Sequence, residues 1–65
     1  MKEIDVWRSA QQLIAKHGNK AAALAAARAD KLYESGALSG FREMMRIMRA
    51  IRELQRSRER GEHAH

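Results

Sequence analysis

An all-α chain of three helices, packed up-down-up with the last one longest, is the fold class that these 65 residues predict. Three observations lead there. The chain has no proline, and its four glycines, Gly18, Gly36, Gly40 and Gly61, cut it into blocks of helical length with short joints. Within the blocks, apolar residues recur at three- and four-residue spacing, the repeat of a helix with one buried face. The middle block, residues 20–35, is so rich in alanine that intrinsic propensity alone favours a helix. The expected boundaries are about 3–17, 20–35 and 40–58, within one domain spanning 1–60 and followed by a flexible tail at 61–65.

The first helix places Val6, Trp7, Ala10, Leu13, Ile14 and His17 on one side, with Asp5, Arg8, Ser9, Gln12 and Lys16 opposite. Gly18 then closes it in a left-handed conformation, and Asn19 caps the next helix by accepting a hydrogen bond from an exposed backbone N–H. In the second helix Leu24, Ala25, Arg28, Ala29 and Leu32 share a face, widened by Ala22, Ala26 and Tyr33. Small side chains there let neighbouring helix axes come close, so this helix is expected to be the central element. Gly36 ends it, and either Ser39 or Gly40 caps the third helix.

The third helix is the most strongly two-faced. Phe41, Met44, Ile47, Met48, Ile51 and Leu54 point inward. Arg42, Arg46, Arg49, Arg56 and Arg60 lie opposite, with Arg52 at the edge and Glu53 among them. Residues 41–60 hold seven of the nine arginines against Glu43, Glu53 and Glu59, so most of the net charge of +5 sits on this one element. The apolar stripe ends at Leu54, and fraying is expected after about Arg58.

Length and composition exclude several classes. A chain this short buries only about 60% of the surface its unfolded form exposes, so a lone monomer is marginal. Without cysteine it has neither a disulfide nor a thiolate zinc site to help, which leaves close helix packing or self-association. No segment is apolar over the roughly 20 residues a membrane span needs, and the N-terminus lacks the apolar run of a signal peptide, so a cytoplasmic protein is expected. There is no glycine-rich phosphate loop, no H-E-x-x-H motif and no defensible triad around Ser9 or Ser57, so the expectation is no enzyme and no cofactor.

The spacing Trp7-x-x-Ala10-x-x-Leu13-Ile14-x-x-His17-Gly18 recurs in a known setting. So do Arg28-Ala29-Asp30-x-Leu32, the pair Gly36 and Gly40, and Ile47-x-x-Ala50-Ile51-x-x-Leu54. Across most of residues 5–55 the chain resembles a family of small uncharacterised bacterial helical proteins known as a domain of unknown function. The resemblance implies a three-helix fold and brings no chemistry with it. Its members carry a tryptophan near the position of Met44, and a flexible thioether there makes the surface more adaptable or fills a smaller gap.

Individual side chains receive mostly structural readings. His17, in the last turn of the first helix, satisfies terminal carbonyls and meets the negative end of the dipole. Glu62, His63 and His65 make too weak and mobile a set for a physiological metal site. Arg28 packs its stem between Leu24 and Leu32 and reaches a carboxylate such as Glu3 or Glu43. Trp7 anchors the core over the alanines of the second helix, beside Met44 or Met48.

Met44, Met45, Met48 and Leu54 form the apolar strip that a private core explains least, and methionine-rich surfaces suit adaptable contacts between helices. The expected function is therefore a non-catalytic interaction or regulatory module, a homodimer through its third helix or a docking unit for another protein. The alternative is a weakly sequence-specific nucleic-acid-binding protein that uses Arg42, Arg46, Arg49, Arg52, Arg56 and Arg60. A helix-turn-helix reading fails, because neither candidate recognition helix offers base-reading polar side chains early. A membrane-surface helix is a weaker third class, since the apolar face lacks an aromatic anchor beyond Phe41 and is needed for the core.

Overall fold

The computed structural model describes the backbone of residues 2–63 and the side chains of residues 2–57. Among them the structure is all-α, its helical residues falling in two stretches, 3–34 and 38–63, the first of them turned at Gly18. The first run is α1 (Glu3–His17), one 3-10 turn (Gly18–Lys20) and α2 (Ala21–Glu34); the second is α3 (Leu38–His63). At 1.5 Å per residue the 26 residues of α3 span about 39 Å and set the long axis of a molecule measuring 46 × 23 × 16 Å.

The two joints work differently. At the first, Gly18 has φ 55° and its N–H donates to the Ile14 carbonyl, ending α1. No loop follows, because Ala21 N–H donates to the Gly18 carbonyl and the backbone passes through the 3-10 turn into α2. Asn19 therefore sits inside helical backbone and does not cap α2; Lys20 holds that position without a side-chain hydrogen bond. The second joint is a Schellman close, in which Ala37 N–H donates to the Leu32 carbonyl and Gly36 N–H to the Tyr33 carbonyl. Gly36 sits at φ 81°, a backbone conformation that strains any residue with a Cβ.

Gly40 and Gly61, read from the sequence as further breaks, lie inside α3. For Gly40 the reason is visible: a Cβ there would meet Leu32 Cδ2 at 3.3 Å, so the missing side chain serves the close approach of α2. The last helix consequently starts at Leu38 and continues to His63, beyond both expected ends near 40 and 58, and the expected tail is helical as far as His63. Residues 64 and 65 lie outside the described residues.

Packing is centred on α3. Both shorter helices lie against it, and α1 touches α2 far less, so the expectation of a central second helix gives way to a central third one. The reason lies in side-chain size. The buried stripe of α2 is Ala21, Ala25 and Ala29, one methyl per turn, which can cover α3 closely but offers little width for a second neighbour. From α3 the buried residues are Ile47, Met48, Ala50 and Ile51, and from α1 they are Val6 and Ala10. At about 0.8 kcal/mol per buried CH2, a core with so many alanines is thin. Ile51 is the one large side chain fully buried among the described residues.

Candidate functional site

The ends of the helices set their pairing. Leu32 and Tyr33, late in α2, meet Gly40 and Phe41, early in α3, the two rings in an edge contact at 5.2 Å. At the other end Gln55 Nε2 donates to the Gly18 carbonyl at 3.0 Å. Thus α2 runs back along α3. For α1, Trp7 shares a groove with Arg46 and Arg49 while Ile14 shares one with Leu54 and Gln55, so α1 and α3 run the same way.

This arrangement divides the circumference of α3. Successive residues turn about 100°, so the side facing α2 carries Met44 and Met48 and the side facing α1 carries Ala50 and Leu54. Met48 is buried in the core, and Met44, Met45 and Leu54 are half-buried against it. The four residues expected to form one interface thus differ in burial and direction. Met48 belongs to the chain's own core because it faces the alanines of α2. Met45 and Leu54, nine residues apart, project about 180° from each other and border separate grooves.

What remains outward on α3 is arginine. Arg42, Arg46, Arg49, Arg52 and Arg56 are all exposed, with exposed Glu53 between them. Their spacings of four, three, three and four residues keep them on one side over about 21 Å. The side chain of Arg60 lies outside the described residues. Arg46 is also engaged within the chain.

Two grooves open onto this face. One, of about 340 Å³, lies between α1 and α3, with Glu3, Val6 and Trp7 on one wall and Arg46, Arg49, Ala50 and Glu53 on the other, so two carboxylates share it with the two arginines. The second, of about 380 Å³, runs along α3 between Phe41, Met45 and the arginines Arg42, Arg46 and Arg49. Trp7, Phe41 and Met45 are half-buried. Trp7 was expected over the alanines of the second helix; α3 instead forms the opposite wall of its groove. The sequence signal for this meeting is weak, because Trp7 lies more than thirty residues before Arg46 and its register against α3 depends on how the helices pack.

Other candidates stay apart from this face. His17 is exposed rather than on an inward side, and Arg28 is exposed between the half-buried Leu24 and Leu32. The described residues contain no group of acidic and histidine side chains able to hold a metal ion; the side chains of Glu62, His63 and His65 lie outside those described. No helix among the described residues is long and apolar enough to cross a membrane. A third groove, of about 600 Å³ between α1 and α3, is lined by Gln11, Ile14, Ala15, Leu54 and Gln55 and offers no charged group. Comparison with protein-family models, curated proteins and solved structures gives no match for this chain.

Proposed function

We propose that the chain is a non-catalytic nucleic-acid-binding module, a three-helix up-down-up unit that presents the arginine face of α3 to a phosphate backbone. One observation carries the reading: five exposed arginines share the outward side of the longest helix. Arginine is the informative choice. Its planar fork grips phosphate through paired N–H donors, whereas a merely solvated face is served equally well by lysine, and no lysine follows Lys31. The binding is to phosphates and so only weakly sequence-specific.

The test is a salt titration with a labelled oligonucleotide. Three to five arginine contacts on a duplex give a slope of log K against log salt of about −2.7 to −4.5. Replacing Arg42, Arg46 and Arg49 by glutamate together should abolish binding while circular dichroism stays that of the parent. No binding of either duplex or single strand at low salt overturns the reading.

Self-association is a second reading, favoured by the thin core and by the exposure of Ile4, Tyr33 and Leu38, which are 60%, 61% and 51% exposed. The separation of Met45 from Leu54 argues against a single methionine strip as the contact. A monomer by light scattering at micromolar concentration would exclude a stable dimer and leave nucleic-acid binding untouched.

A further inference from the structure

The two grooves flanking the arginine face share Arg46 and Arg49. On one side of these cations stands the indole of Trp7, in a groove that Glu3 and Glu53 also line, and on the other stand the ring of Phe41 and the thioether of Met45. A duplex makes no use of such a surface, because its bases are stacked and paired inside while its phosphates meet the arginines. A single strand has free base faces, and each base that stacks on an aromatic side chain tightens binding about tenfold. Trp7 and Met45 also pack against the core and Phe41 meets the Tyr33 ring edge-on, so each offers only its outer part to a base, and phosphate contacts alone do not require such side chains on both flanks.

We propose that the arginine face takes single-stranded nucleic acid in preference to duplex. The strand crosses α3 at Arg46 and Arg49, with unstacked bases seated against Trp7 on one side and against Phe41 and Met45 on the other. This inference rests on the phosphate-binding reading above and names the form of nucleic acid that the same face selects.

The experiment uses the full chain and labelled thymine or uracil homopolymers of about twelve nucleotides, within the span of known single-strand sites. Its arms are the single strand, a duplex of equal length, and an abasic single strand that keeps the phosphates and lacks the bases. Trp7 is the only tryptophan, so its emission reports base contact directly. The expected result is single-strand affinity about tenfold or more above duplex, with Trp7 quenched, and an abasic strand that binds no better than duplex and leaves Trp7 unquenched. Phe41→Leu keeps an apolar side chain and removes the aromatic face; it should weaken single-strand binding about fivefold and leave duplex binding unchanged. Equal affinity for all three forms with unquenched Trp7 overturns the inference while phosphate binding stands. Absence of binding to any form at low salt overturns both.

Discussion

Along α3 the inward side is Ile47, Met48, Ala50 and Ile51, all buried, and the outward side is Arg42, Arg46, Arg49, Arg52 and Arg56, all exposed. The two sides share one backbone and differ in what a change costs. No charged side chain is buried among the described residues, so the inward side owes its stability to apolar area and close fit alone. The outward side bears charges that water already solvates, and removing one leaves no buried group unsatisfied. If the outward side binds as proposed, stability and binding are separable on a single helix, a separation that five substitutions test.

The largest effect is expected from Ile51→Ala, which removes the one large fully buried side chain and should cost about 2–5 kcal/mol, measurable by chemical denaturation. In so small a domain that loss approaches the whole folding free energy, and a variant with an unchanged midpoint would mean that the core lies elsewhere. Next is Ala25→Leu, on the α2 stripe that faces α3. Overpacking there should destabilise by about 1–3 kcal/mol, whereas Ala23→Leu on the exposed side of the same helix should change stability by less than about 0.5 kcal/mol. If the two leucine variants melt alike, the close approach of α2 to α3 is wrong.

A smaller effect belongs to Gln55→Ala, which deletes the hydrogen bond that ties α3 to the first joint. About 0.5–1.5 kcal/mol is expected, read as a lowered melting temperature. The smallest is Arg49→Gln, with stability within about 0.5 kcal/mol of the parent and a weaker hold on phosphate. A large loss of stability in this variant would place Arg49 in the architecture and break the distinction between the two sides.

The helical state of each block was readable from local periodicity, and α1 begins and ends where the first apolar repeat does, at Glu3 and His17. Glycine was the less reliable guide. The same residue marks a positive-φ joint at Gly18 and Gly36 and a close contact at Gly40, and nothing in the neighbouring sequence distinguishes them. Ala50 was missed as a core residue because it lies at the edge of the stripe from Phe41 to Leu54, yet it is 4% exposed where α1 meets α3.

What the amino-acid order determined by itself was that α3 is a helix with an apolar side and an arginine side, because a repeat of 3.6 residues places side chains around a helix without reference to any neighbour. Only the tertiary structure decided how the apolar side is shared between α1 and α2. That sharing put Met48 inside, sent Met45 and Leu54 to opposite flanks, and brought Trp7 beside Arg46 and Arg49. The physical reason is that the direction and register of packed helices follow from how alanine and glycine surfaces let backbones approach, a property of paired surfaces that no single segment contains.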